Sequence, residues 1–329
     1  VVVPVVVPVV ATLVTRGFDH QGPLWVDLDL RDKGDGSAII HMAAEKGYHK
    51  VVRVLAEMGA NINLKDMYQG FTPLYVAARN DHPKVLRLLA DKGANLDIAD
   101  KWGRTPVYVA AREGNLETVR VLAGRGAKLD TKTPRNEWYN IDEVGDCSGA
   151  TPVYMAAHNG HPKIVRLLAD KGANLNLPDI WGRTPVFVAA ANGHPKVLCL
   201  LADKGANLDI AVKDGATSVR DVVFSRGDTP VLIALQAGLE DAVRMLVIKG
   251  ANIFITDEKK RTPLDIALVK GCQGVIDILE EKEKRHIRVM TALFKKLRRE
   301  IGTQMAIRTL RLQAPFSEKL WFLKPGGRF

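Results

Sequence analysis

Three histidines stand in the same local setting, ahead of Pro-Lys, at His82, His161 and His194. Imidazole is a common metal ligand. Equivalent positions on packed helices, however, lie about 10 Å apart, while a single zinc needs its nitrogens at about 2.1 Å. No metal site is expected from them. The three cysteines (Cys147, Cys199, Cys272) form no close pair, which argues against a disulfide framework or a zinc cluster. That points to a reducing compartment, the cytoplasm, with the nucleus as the alternative. No glycine-rich phosphate loop follows a strand, and no nucleophile elbow or kinase signature occurs. The predicted catalytic set and the predicted cofactor are therefore both none. A different chemistry is suggested by Asp-x-Trp-Gly-Arg-Thr, which occurs at Asp100–Thr105 and Asp179–Thr184. It sets Trp102 beside Arg104 and Trp181 beside Arg183, the residue types that dominate protein interfaces.

These residues sit in a repeat. Thr72–Ala78 reads Thr-Pro-Leu-Tyr-Val-Ala-Ala, Thr105–Ala111 Thr-Pro-Val-Tyr-Val-Ala-Ala, and Thr184–Ala190 Thr-Pro-Val-Phe-Val-Ala-Ala. Counting Ala38, Thr151, Thr229 and Thr262 with them, the starts are 34, 33, 46, 33, 45 and 33 residues apart. A period of about 33 with a Thr-Pro-Leu-His-like start resembles the ankyrin repeat. The resemblance spans residues 36–284 as seven units. It implies an all-α ankyrin-repeat solenoid, stacked helix-turn-helix units with short extended fingers. It also implies binding of other proteins through finger tips and the concave face of the first helices. Asn63 and Asn176 fall where some members of that family are hydroxylated.

The local physics agrees. Threonine at an N-cap accepts from free first-turn amides, and proline at N1 has no amide to leave unpaired. A left-handed C-cap is expected at Gly47, Gly114, Gly160, Gly193, Gly238 and Gly271, with Asp81 in the equivalent place of the second unit. Apolar residues such as Val85, Leu86, Leu88 and Leu89 follow helical spacing. The ends are worn: Ala38-Ile39 replaces Thr-Pro, and Asp265 stands where the family has histidine. Residues 1–35 read as an N-terminal extension, with a degenerate cap as one option. Val1–Val10 carries Pro4 and Pro8 and no preceding basic residue, a poor signal peptide.

The expected partner-binding residues are Tyr68, Phe71, Trp102, Arg104, Trp181 and Arg183 on the tips. Arg79, Arg112, His158 and Asn192 are expected on the exposed concave side. An alternative for Trp102 and Trp181 is packing on the neighbouring finger. Tyr75, Tyr108, Tyr154 and Phe187 replace the family histidine and read as packing. Insertions near 133–148 and 215–225 are expected as projecting loops. The first carries Trp138 and Tyr139 amid acidic residues, a candidate contact for a basic partner or for the chain's own tail.

The net charge of +10 is unevenly placed. From Arg285 onward there are 11 basic and two acidic residues, so the body before it is balanced to within one charge. Ile287, Met290, Phe294, Leu297 and Ile301 recur at helical spacing, flanked by Lys295 and Arg298, among others. Residues 285–329 thus begin as a basic amphipathic helix. One reading is a helix capping the last repeat. Others are a target for a calmodulin-like protein, using Met290, Phe294 and Leu297, or an anionic-membrane contact helped by Trp321 and Phe322. Nucleic-acid binding is the least favoured, since the body offers no matching basic surface. The expectation is a monomeric, non-catalytic protein-binding scaffold. The absent initiator Met keeps open the alternative of an ankyrin portion of a larger signalling enzyme or channel.

Overall fold

Threonine caps set the start of most first helices. In the computed structural model, which describes residues 28–32, 34, 36–135, 148–213, 217–219 and 222–301, the Thr72 hydroxyl accepts from the Tyr75 amide at 3.1 Å. Thr105, Thr151 and Thr184 accept from Tyr108, Tyr154 and Phe187 in the same way. The two worn ends are capped by other means. The Ala38 amide donates to His41 Nδ1 at 3.2 Å. Asp265 accepts from the Thr262 amide at 2.7 Å, while the Thr262 hydroxyl accepts from the Asp265 amide, a reciprocal capping box.

The described helices come in pairs: α1 (Ile39–Glu45) with α2 (His49–Glu57), α3 (Pro73–Arg79) with α4 (Pro83–Asp91), α5 (Pro106–Glu113) with α6 (Leu116–Gly124), α7 (Pro152–His158) with α8 (Pro162–Asp170), and α9 (Pro185–Ala191) with α10 (Pro195–Asp203). Then follow β1 (Thr217–Val219), β2 (Val222–Phe224), α11 (Pro230–Gln236) with α12 (Glu240–Ile248), and α13 (Pro263–Lys270) with α14 (Gln273–Ile301). The chain divides into two compact units, Val1–Asn207 and Leu208–Phe329. The first holds five pairs and the second two pairs and the hairpin.

Within the first unit, successive first helices pack on one another through the paired alanines Ala77-Ala78, Ala110-Ala111 and Ala156-Ala157, all buried. The second helices bury Leu86, Leu89, Leu122 and Leu168 between the layers. Side-chain to backbone bonds stitch neighbours along both edges. On the helix edge, His82, His161 and His194 donate from Nε2 to the carbonyls of Glu45, Arg112 and His158. On the finger edge, Asn63 and Asn176 accept the amides of Asn95 and Asn207. Gly47 shows why glycine caps α1. Its φ is +73°, and a Cβ there would lie 2.7 Å from the His82 ring. Asp81 takes the left-handed conformation with φ +55°, and its carboxylate accepts from the Thr118 hydroxyl.

The fingers close with one recurring bond. It runs from the Asp66 amide to the Phe71 carbonyl, Asp100 to Arg104, Asp179 to Arg183 and Asp257 to Arg261. The two insertions keep it: the Thr133 amide donates to Ala150 and the Val212 amide to Asp228. Extra residues are thus spliced in beyond a finger base that is unchanged. The second insertion carries two short strands. Its backbone forms an antiparallel hairpin with Val219 opposite Val222. Thr-Ser-Val and Val-Val-Phe contain the β-branched and aromatic residues that favour strand pairing.

The helical pattern expected from Ile287 to Ile301 continues the second helix of the last pair. α14 runs unbroken from Gln273 to Ile301, so the last repeat and the start of the basic segment share one helix.

Candidate functional site

Two of the fingers are organised in the same way by a buried aspartate. Asp100 accepts the Trp102 and Arg104 amides on Oδ1 at 2.9 and 2.8 Å. Its Oδ2 takes Arg104 Nε at 2.7 Å and the Tyr75 hydroxyl at 2.8 Å. Asp179 repeats the set with Trp181, Arg183 and the Tyr154 hydroxyl. Tyr75 and Tyr154, read from sequence as packing, are therefore also donors that tie a helix pair to the next finger. Burial, with the Asp100 charge beside it, holds the Tyr75 phenol protonated far above its usual range. The pairing has a sequence signature: Tyr75 and Asp100, and Tyr154 and Asp179, are each 25 residues apart.

This arrangement corrects part of the predicted surface. Arg183 is only 6% exposed, ion-paired to Asp179 and stacked over Trp181 at 4.5 Å. Its guanidinium is committed within its own finger. Asn192, expected on the exposed concave side, is buried, with its Nδ2 donating to the Val188 carbonyl. It closes its own helix end. Met290 and Phe294 are buried as well, whereas Lys295 and Arg298 are exposed and Leu297 is half-buried. Two of the three residues expected to insert into a partner are therefore already buried, while Ile287 of the same stripe is 43% exposed. Trp138 and Tyr139, and Trp321 and Phe322, lie outside the described residues.

The structure does bring five of the predicted residues together. Gln69, Phe71, Tyr75 and Arg79 of the second pair face Trp102, Arg104 and Arg112 of the third across an open pocket of about 310 Å³. Phe71 stacks on Tyr75 with ring centroids 4.5 Å apart and lies 6.3 Å from Trp102. The Arg79 guanidinium sits 5.8 Å over the Phe71 ring, and Arg104 sits 4.4 Å over Trp102. Arg112 is bridged by Glu113 at 2.6 Å. Arg79 pairs with no carboxylate among the described residues. Tyr68 lies on the same finger and is 48% exposed. His158, one pair further on, bonds Asn159 through Nδ1 at 2.8 Å, and Trp181 is half-buried. Gln69 was missed in the sequence because nothing local marks it. It becomes visible only as the counterpart of Trp102 in the finger alignment.

Among the described residues no cluster of three or more His, Cys, Asp or Glu is placed to hold a metal ion. None of the described helices is long and apolar enough to cross a membrane.

Comparison with known proteins bears on this geometry. The model of ankyrin repeats in three copies matches residues 8–100, 41–133 and 136–214, and the single ankyrin repeat model matches residues 226–258. The fold is similar to the ankyrin repeat domain of Bcl-3, of the IkappaB protein family. That similarity has a TM-score of 0.59 and 26% identity over 75% of this chain and 99% of that one. It is also similar to the human ASB11 ankyrin repeat domain, with a TM-score of 0.56, 24% identity, and 74% and 96% covered. A stretch of 53 residues is 38% identical to XBAT35 of Arabidopsis thaliana, named as a candidate E3 ubiquitin-protein ligase. It spans 16% of this chain and 12% of that protein.

Proposed function

Because the chain belongs to the ankyrin repeat family, a fold that generally mediates protein–protein interaction, we propose that it is a non-catalytic scaffold. It takes a partner protein on the tips and first helices of the second to fourth pairs. The observation that carries this reading is the pocket edged by Phe71, Trp102, Arg79 and Arg112. It presents aromatic and arginine side chains in fixed positions, the composition of interface anchors. Tyr68 and His158 extend the surface on either side. The framework beneath is braced by hydrogen bonds on both edges, so little reshaping accompanies binding.

We assign the stripe of α14 to capping the second unit. A calmodulin-like protein or an anionic membrane would first have to draw out Met290 and Phe294. A cytoplasmic, monomeric protein belongs to the same proposal and rests on the odd cysteine count and the balanced body. The test is affinity capture with the full chain against a variant carrying Tyr68→Ala, Arg79→Ala and Trp102→Ala. Loss of the retained proteins from a variant that still melts cooperatively supports the reading. An unchanged set overturns the placement. Titrating the full chain with calcium-loaded calmodulin and with phosphatidylserine vesicles tests the tail, and tight binding to either would overturn the capping assignment.

A further inference from the structure

The pocket between the second and third helix pairs has a sign as well as a shape. Among the described residues its rim carries three guanidiniums and no carboxylate. Asp100 lies behind it, buried and committed to Arg104 and Tyr75. Glu113 answers Arg112 from outside the lining. Arg79 is exposed, and among the described residues its guanidinium lies over the face of Phe71. A guanidinium resting on an aromatic ring is held in position with both donor edges free. It loses less freedom when it accepts a carboxylate in the two-point manner arginine favours.

The chain contains its own comparison. In the same register between the fourth and fifth pairs, Ala150 stands for Phe71, His158 for Arg79 and Ala191 for Arg112. There Trp181 and Arg183 are retained, but Arg183 is buried. The finger aspartate, its arginine and the tryptophan are thus common framework. The aromatic floor and the two outer arginines are particular to one place. The framework does not require them, since the other register folds without them.

We propose that this pocket receives an acidic segment of a partner protein. That segment is an extended peptide whose side-chain carboxylates meet Arg79 and Arg112 and whose aromatic or long apolar side chain covers Phe71. The volume, about 310 Å³, is at the lower end of the range for ligand sites and suits one or two side chains. The proposal rests on the scaffold reading above and narrows it to a partner chemistry.

The test uses the full chain labelled with 5-fluorotryptophan, with the Trp102 resonance assigned by Trp102→Phe. The probe is a short alternating Glu-Tyr peptide, with a Lys-Tyr peptide and inorganic phosphate as separate arms. The Glu-Tyr peptide is expected to shift the Trp102 resonance saturably at physiological salt. Arg79→Glu with Arg112→Glu should weaken it by about tenfold or more, and the milder Arg79→Gln with Arg112→Gln should weaken it in the same direction. Both pairs alter side chains outside the core. Lys295→Glu with Arg298→Glu in the basic segment should leave the Trp102 titration unchanged. An unmoved Trp102 resonance, equal response to the Lys-Tyr peptide, or saturation by phosphate alone each overturns the proposal. If captured partners survive the Arg79/Arg112 reversal but are lost from the Tyr68/Arg79/Trp102 variant, the acidic-segment proposal falls and the scaffold reading stands.

Discussion

Tyr154 illustrates how much one hydroxyl carries here. It is fully buried, and its hydrogen bond to Asp179 joins a helix pair to the following finger. Tyr154→Phe leaves the ring and removes the donor to a buried carboxylate, a bond to a charged group worth about 1.5–3 kcal/mol. A loss of that size in urea unfolding is expected, with Asp179 still held by Arg183. His41 gives a pH signature. Its Nε2–H donates to the carbonyls of Leu64 and Phe71 at 2.9 and 3.0 Å, and its Nδ1 accepts from Ala38. Burial lowers its pKa, outweighing those backbone bonds. The unfolded chain therefore takes up the proton first. Stability from this group is present above the ordinary histidine pKa of 6.5 and is lost as pH falls through it toward the depressed folded value. Thermal melts between pH 7.5 and 5.5 should show a shallower decline for His41→Gln than for the parent chain.

At the scale of the element, the sixth pair breaks the capping rule. Thr229 occupies the N-cap of α11 with extended backbone, yet its side chain makes no cap bond. Its hydroxyl is buried without a partner among the described residues. Thr229→Val should be neutral or stabilising, because it removes an unsatisfied polar atom. Thr151→Val removes a working cap and should cost about 1 kcal/mol. Parallel urea titrations of the two variants read the difference, and equal losses would show that Thr229 caps in solution. Fingers behave as elements too. Insertions as long as 133–148 and 215–225 are accommodated because the closing bond at each finger base is kept.

For the whole molecule, the decisive feature is how charge and burial divide. The basic surplus lies after Arg285, but the helix that begins it belongs to the second unit and buries Met290 and Phe294. Ending the chain at Lys284 removes two core side chains, each worth about 1.5–3 kcal/mol when buried. Amide exchange should therefore quicken in α11, α12 and α13 of the second unit, while α3 to α8 exchange as before. Unchanged protection in α12 and α13 would mean that the basic segment contributes charge alone.

Much of this was written in the sequence. Thr72, Thr105, Thr151 and Thr184 cap where their Thr-Pro signature places them, and Asp81 takes the left-handed turn its alignment with glycine implies. Caps, turns and helical period are decided among residues within a few positions of each other, so a single chain displays them directly. The structure alone decided which arginine is available and which is spent. Arg104 and Arg183 share one motif, yet the first edges an open pocket and the second is buried. Phe71, Arg79 and Trp102 edge one pocket, although Trp102 lies 31 residues beyond Phe71. The hairpin of the second insertion, the continuity of α14 and the covering of Met290 also belong to tertiary structure. Exposure depends on the sum of neighbours brought in from distant positions, and no local pattern records that sum.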